Sequence, residues 1–340
     1  MNKKGREAAG LLALMLALSS LIFTGCKKKQ EAVNVSGLNH ITTKAPDENA
    51  PFSKERSRDL EYTRNRDGTY CLSGIGTCKD TDLVIPAVVS GNLVTNIDDG
   101  ALEDQTQLTS VEIPDGVTEI GAWAFSGCTG LKTVSVPDSV TSVGICAFSD
   151  CSSLAYIESD GAAFLGNKNN PYVILMHMTD PSVTSFTIPD GTKIVYAEAF
   201  KDCTALTDIV IPESVTCIGN ASFSGCTGLE KIILSDHVAL IGNRSFENCT
   251  GLITATTGNG IVRLEDATFS GCSALKNVVI GNNVKNIGKD VFSGCMSLVS
   301  LTIPFIGAMP TSRTPATWGA TSLSTTRVIR SWATPLPYYI

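Results

Sequence analysis

Histidine, tryptophan and positive charge are all scarce in this chain, and each scarcity removes a class of function. Only three histidines (His40, His177, His237) stand among 340 residues. No pair of cysteines or histidines has the close C-x2-C type of spacing that structural zinc sites use. A catalytic cysteine needs a positioned base, and no histidine recurs beside a cysteine. Lys and Arg total 26 against 33 Asp and Glu, a net charge of −7. That is the wrong sign for nucleic acid or an anionic membrane surface, which attract a basic field. Aromatic residues make up 6% while hydrophobic residues reach 43%, so the core must be aliphatic and rich in small residues. GxSxG, HExxH, the P-loop and GxGxxG with an acidic partner are missing, and Gly288-Lys289-Asp290 lacks the upstream glycines of a P-loop. Asp98-Asp99 carries no information among 33 acids. These absences argue against an enzyme and call for no cofactor and no metal.

What is present begins with an export signal. Lys3, Lys4 and Arg6 precede an apolar run from Leu11 to Phe23, short for a membrane helix of about 20 residues. The run ends in Phe23-Thr24-Gly25-Cys26, which resembles the lipobox of bacterial lipoproteins with Phe where Leu is usual. The resemblance implies a signal peptide over 1–25 and lipid attachment at Cys26, so that the protein is exported and lipid-anchored to a bacterial membrane, facing the surface or the periplasm. An ordinary signal peptide with an incidental cysteine is the alternative. Residues 26–59 are polar and aperiodic and are expected to form a flexible tether. At about 5–6 Å × √n its reach is roughly 30 Å. Residues 60–107 read as an N-terminal cap unit, with Asp67-Gly68 as a hairpin turn.

From there a period takes over. Leu108, Leu131, Leu154, Val183, Leu206, Leu229, Leu252, Leu275 and Leu298 open successive units spaced by 23 residues, except for one unit of 29 residues over 154–182. Seven units carry Phe-x-x-Cys, from Phe125-Ser-Gly-Cys128 to Phe292-Ser-Gly-Cys295. Repetition this regular is the signature of a solenoid. Within the unit at 108–130, Leu108, Val111 and Ile113 alternate with polar residues and read as a short strand. Pro114 ends it, Val117 and Ile120 form a second extended piece, and Ala124 and Phe125 turn inward from a brief helical or 3₁₀ turn. Gly127 permits a tight corner.

Ile113-Pro-Asp-Gly-Val-Thr-Glu-Ile-Gly-Ala-Trp-Ala-Phe-Ser-Gly-Cys128 and its counterpart at Ile211 to Cys226 resemble the BspA-like, 23-residue class of leucine-rich repeats. The resemblance covers residues 60–305 and implies a β-rich right-handed solenoid, with one short strand per repeat, a stacked parallel sheet and little helix. The solenoid proper spans 108–304. Ser235, Gly258 and Gly281 depart from the pattern by replacing its proline. The family populates bacterial surfaces, and members are implicated in adhesion to host proteins and to other microbes.

The seven repeated cysteines (Cys128, Cys151, Cys203, Cys226, Cys249, Cys272, Cys295) are expected to stack as a buried ladder of small apolar groups, because parallel side chains rarely reach the disulfide dihedral. Whether Cys71 and Cys78 are bridged stays open. Function then falls to the residues that vary. The outward strand positions give a candidate binding face of Ser110, Glu112, Thr133, Ser135, Tyr156, Glu158, Asp208, Val210, Lys231, Ile233, Thr256 and Val279. Outward aliphatic residues mark a contact patch, although β-branched residues also simply stiffen strands. The long unit adds a bulge or hairpin and supplies a candidate protruding loop with Tyr172, Met176, His177 and Met178; a local hairpin packed on the flank of the solenoid is the alternative. Residues 305–340 are expected to be an irregular tail; Trp318, Trp332, Tyr338 and Tyr339 are its candidates for covering the end of the solenoid. The expected role is adhesion or protein binding, with an extracellular protein or glycan of a host or another microbe as partner and the membrane reached through the lipid. A structural protein of the cell envelope without a specific host ligand is the alternative, and an unrecognised enzyme the remote one.

Overall fold

The computed structural model describes residues 56–303 and the backbone of one further strand, Arg327–Arg330. Cys26, the residues up to 55 and the tail's Trp318, Trp332, Tyr338 and Tyr339 lie outside the described residues. Among the described residues there is no helix, only strands of two to six residues joined by turns. Ala124 and Phe125, expected on a brief helical or 3₁₀ turn, sit in single turns closed by bonds to the residue three back (Ser126 N to Trp123 O, 2.9 Å; Cys128 N to Phe125 O, 3.2 Å), and no helix follows. The chain forms two compact units: one runs to Thr133 and takes in Gly144–Leu154, and the other comprises Val134–Val143 and the residues from Ala155 on.

In the first unit, Glu61–Arg64 and Tyr70–Gly74 make the antiparallel hairpin that Asp67-Gly68 predicts. Gly68 takes φ +92°, and Asp67 Oδ1 accepts from Thr69 N at 3.0 Å and Thr69 Oγ1 at 2.7 Å. Pairing then becomes parallel: Tyr70–Gly74 with Asn92–Ile97, Asn92–Ile97 with Glu119–Ile120, and Asp82–Val84 with Ser110–Glu112. Ser57 is buried and exchanges hydrogen bonds with Val84 (Ser57 N to Val84 O, 2.9 Å; Val84 N to Ser57 Oγ, 3.0 Å). Inside, Phe125 and Phe148 stack at 5.2 Å.

The second unit repeats one coil. Each coil contributes a three- or four-residue strand, here Lys231–Ile233, Thr254–Thr256, Asn277–Val279 and Ser300–Ile303, all parallel and in register. A second side is built by Ile194–Val195, Cys217–Ile218 and Leu240–Ile241, also parallel. A third side has no strand. It is held by bonds such as Phe223 N to Ser245 O (2.8 Å) and Phe246 N to Thr268 O (2.9 Å), which join each turn to the next coil. Phe200, Phe223, Phe246, Phe269 and Phe292 stack along the interior at 4.8 to 5.9 Å. One position therefore prefers Phe because flat rings tile at the coil spacing of about 4.8 Å.

Of the two forms expected for the long unit, the structure has the packed hairpin and not the protruding loop. Asp160 and Gly161 take φ +52° and +83°, the pair of positive angles a two-residue hairpin turn demands. They join Ile157–Ser159 to Ala162–Leu165, and Ile174–Met178 then pairs antiparallel with Ala162–Leu165 and parallel with Ile194–Val195. Met176 is buried, Tyr172 packs edge-on against Phe164 at 5.1 Å, and His177 and Met178 are half-buried. The apolar run stays inside because it has a strand of the next coil to pair with. Asn167 and Asn170 close the intervening loop through Val136 O (2.9 Å), Asp138 Oδ1 (2.8 Å) and Gly191 O (2.9 Å).

Candidate binding face

The strand alternation decides which side chains reach solvent in the second unit. Phe186, Ile232, Ala255 and Val278 point into the core and are buried. Their neighbours point out: Val210 is 51% exposed, Ile233 53% and Val279 44%. Register places Ile233, Thr256, Val279 and Thr302 side by side, and Lys231, Thr254, Asn277 and Ser300 in the adjacent row. At about 4.8 Å per strand, Ile233 and Val279 flank Thr256 at roughly 10 Å from each other. Asp208 and Val210 pair with Ser185 and Thr187 on the coils before. A third outward row, not foreseen, carries exposed Ile253 and Val299, with Glu230 and Lys276 in the same series. The signal for it was the residue following each opening leucine. The result is a flat face of β-branched aliphatics and hydroxyls edged by both signs of charge. A face of this kind suits a broad partner rather than a small substrate.

Other candidates stand elsewhere. Ser110, Glu112 and Thr133 belong to the first unit. There the Ser110 hydroxyl donates to Asp82 Oδ1 (2.5 Å), and Thr109 Oγ1 donates to the same oxygen (2.8 Å), so Ser110 already has a partner in the neighbouring coil. Ser135 is half-buried. Tyr156 and Glu158 are off the parallel face. Their strand is diverted into the hairpin, Ile157 between them is 41% exposed instead of buried, and Tyr156 lies edge-on to His177 at 5.1 Å. Burial lowers the pKa of His177, with Glu158 opposing.

The cysteine ladder is where chemistry could hide, and its geometry assigns the thiols another task. Cys128, Cys151, Cys203, Cys226, Cys249 and Cys272 are free and buried, and Cys295 is free and half-buried. In six of the seven, the S–H donates to the backbone carbonyl 26 residues back, on the preceding coil: Cys151 to Phe125 O at 3.1 Å, Cys226 to Phe200 O at 3.0 Å, Cys249 to Phe223 O at 3.1 Å. Cys203 lacks this bond among the described residues, because the long unit precedes it. Burial pushes the Cys128 thiol up to about 11 and the Cys151 thiol to about 12. Thiols held protonated this way are poor nucleophiles. The side chain is more than the small apolar filler expected of it: it is also a weak donor that pins one coil to the next. Cys71 and Cys78 are both free and buried.

A family model, the BspA type leucine rich repeat region, matches residues 81–164 and 178–307 in six copies. Solved structures similar to this chain include a leucine rich repeat protein of T. pallidum (23% identity, 72% of this chain and 91% of that one, TM-score 0.30). Others are a leucine-rich repeat protein from Eubacterium ventriosum (25% identity, 66% of each chain, TM-score 0.42) and a leucine rich cell surface protein from Faecalibacterium prausnitzii (24% identity, 72% and 88%, TM-score 0.33). Comparison with curated proteins returns no match.

Proposed function

The chain belongs to the BspA-type leucine-rich repeat family, and on that premise we propose that it is an exported adhesin that binds an extracellular protein of a host or another microbe. Lipid on Cys26 anchors it to the bacterial membrane, and the outward rows of the second unit make the contact. The observation that carries this reading is the register of Ile233, Thr256 and Val279, with Val210 nearby: half-exposed aliphatics repeat on a flat sheet whose inward positions are already filled. Binding works by area and repetition, with no bond made or broken.

The test is attachment of cells displaying the full chain to a panel of immobilised extracellular-matrix proteins. It compares wild type with Val210→Lys, Ile233→Lys, Val279→Lys combined. At about 25 cal/mol per Å² of apolar area, each half-exposed side chain is worth about 1 kcal/mol when covered. The triple change therefore weakens binding by about a hundredfold. Undiminished attachment by a variant with wild-type circular dichroism would place the contact elsewhere.

A further inference from the structure

The outward rows of the second unit are symmetric about one strand. Backbone bonds from Ile253 N to Glu230 O (2.8 Å) and from Lys276 N to Ile253 O (2.9 Å) stack Glu230, Ile253 and Lys276 in one row. All three side chains are exposed. A carboxylate and an ammonium thus stand one coil to either side of an isoleucine, about 10 Å apart at the coil spacing. Among the described residues neither has an ion pair within the chain. The register repeats the arrangement in the row of Ile233, Thr256 and Val279, where two exposed aliphatics flank a threonine. In the row between them, Lys231 and Asn277 flank Thr254. Each row therefore has its centre on one coil, at Ile253, Thr254 and Thr256.

Such a pattern matches itself under a two-fold rotation. An axis along Thr254–Thr256, in the plane between two facing sheets, puts each row opposite its own copy with the coils in reverse order. Glu230 then meets Lys276 of the second copy, and symmetry forms the same ion pair again. Ile233 meets Val279 twice, while Ile253 and Thr256 meet themselves. Lys231 meets the uncharged Asn277, so no like charges are opposed. Neighbouring placements lose this match. An axis on Lys231–Ile233 sets Glu230 against itself, and one on Asn277–Val279 does the same to Lys276. An axis midway between strands lays one of those two charges on Ile253, where it is desolvated without a partner.

We propose that this face binds the same face of a second copy of the chain. The pairing rests on the reading that these rows are the contact surface, and it names the partner. Five coils at about 4.8 Å and three residues at about 3.3 Å give a footprint of about 24 by 10 Å, small for a stable interface. One pair of copies is therefore weak, and many copies on a cell surface make it effective. The rotation also reverses the coil order, so the two chains enter from opposite ends, as copies anchored on facing cells do.

The test displays the full chain, at matched density, on cells of a strain that does not clump, and scores clustering of cells labelled in two colours. Wild-type cells should cluster. Glu230→Lys opposes two ammonium groups at each symmetric contact, and Lys276→Glu two carboxylates, so each should cut clustering about tenfold. Mixing the two single variants should restore it, with both colours in every cluster, because each carries the charge the other lacks. The double variant should cluster with itself as wild type does. Dispersed wild-type cells overturn the proposal, as does clustering that both single variants retain. Loss in the single variants that mixing does not rescue marks a different charged occupant and overturns it too. None of these results touches the contact-surface reading, which falls only if Val210→Lys, Ile233→Lys, Val279→Lys combined leaves matrix attachment undiminished.

Discussion

The corner before each ladder cysteine offers a severe test of how the coils fit. That residue is left-handed in every described coil that has one: φ is +72° at Gly127, +58° at Asp150, +58° at Asp202, +77° at Gly225, +58° at Asn248, +76° at Gly271 and +75° at Gly294. Only Asp, Asn and Gly occur there, the residues that tolerate this region. A second rule is visible only in space. The side-chain oxygen of Asp202 fills the place where Gly225 would carry a Cβ, and Asn248 does the same to Gly271. Where two such coils stack directly, Asp or Asn at one corner is therefore followed by Gly at the next; Asp150, which the long unit separates from Asp202, escapes the rule. Gly225→Ala incurs the left-handed cost of about 1 kcal/mol and must also drive Asp202 from its seat, about 1–3 kcal/mol more by analogy with overpacking. Gly294→Ala meets only the Gly271 backbone, Cα at 3.3 Å and N at 3.4 Å, so about 1–2 kcal/mol covers it. Asp202→Gly in the Gly225→Ala background should recover about 1–2 kcal/mol, a coupling well above the few tenths expected of independent sites. Repeat arrays depart from all-or-none unfolding, so the assay is amide exchange at Cys226 and Leu229, whose N–H groups bond within this turn at 3.2 Å each. Equal losses for Gly225→Ala and Gly294→Ala, or strict additivity with Asp202→Gly, would refute the reasoning.

Three further outcomes follow from single side chains. Thr192 is fully buried, its hydroxyl has no hydrogen-bond partner among the described residues, and it occupies the place that Val215 and Val238 fill in later coils. Thr192→Val should stabilise the protein by about 1–2 kcal/mol; a lower urea midpoint would show that the hydroxyl is used. Ser222 Oγ is likewise unpartnered, whereas Ser245 Oγ donates to Gly242 O (2.5 Å) and Gly219 O (3.1 Å). Thermal melts should find Ser222→Ala neutral or stabilising and Ser245→Ala costly by about 1 kcal/mol, and the reverse order would contradict the pairing. Burial raises the ladder thiols from an ordinary 9.0 to about 11 for Cys128 and Cys203 and about 12 for Cys151. Above pH 9 the unfolded chain then binds fewer protons than the folded one, so stability that is intact below pH 9 drains away between pH 9 and 12. Urea midpoints across that window should fall less steeply for Cys128→Ala/Cys151→Ala than for wild type, and parallel slopes would exclude the thiols as the cause.

Much of the coil was legible because its constraints repeat. Phe, Cys and the opening Leu recur wherever an interior of one size must be filled, and the three-residue strands follow from alternation around Val111, Ile232 or Val278. The long unit was legible only as a bulge or hairpin, with packing and protrusion both open, since Tyr172 to Met178 has no counterpart 23 residues away. Its signals were local: Asp160-Gly161 between alternating runs marks a hairpin as surely as Asp67-Gly68 does. An apolar run such as Val173-Ile-Leu-Met176 is a candidate for burial before it is one for protrusion.

A second set of contacts escaped because the residue type there is free to vary. Trp123, Glu198, Ala221, Arg244, Ala267 and Asp290 share one place in the coil and all take φ between +51° and +62°. Nothing in such a mixture signals a left-handed backbone. What holds it is the next coil: Glu198 N bonds to Asn220 O (2.9 Å), Ala221 N to Asn243 O (2.8 Å), Arg244 N to Asp266 O (2.9 Å) and Ala267 N to Lys289 O (2.8 Å). Side chains add a parallel thread, with Asn220 Oδ1 accepting from Asn243 N (2.8 Å), Asn243 Oδ1 from Asp266 N (3.2 Å) and Asp266 Oδ1 from Lys289 N (2.8 Å). The strain is local while its compensation lies 22 or 23 residues away, so no window of sequence contains both. This division also bears on function. Where a neighbouring coil dictates backbone conformation, the side chain is released from structural duty and can vary. In the outward rows the same release lets Val210, Lys231, Ile233 and Val279 differ from coil to coil on a scaffold that does not change, which is the condition under which a repeat face can acquire a partner without losing its fold.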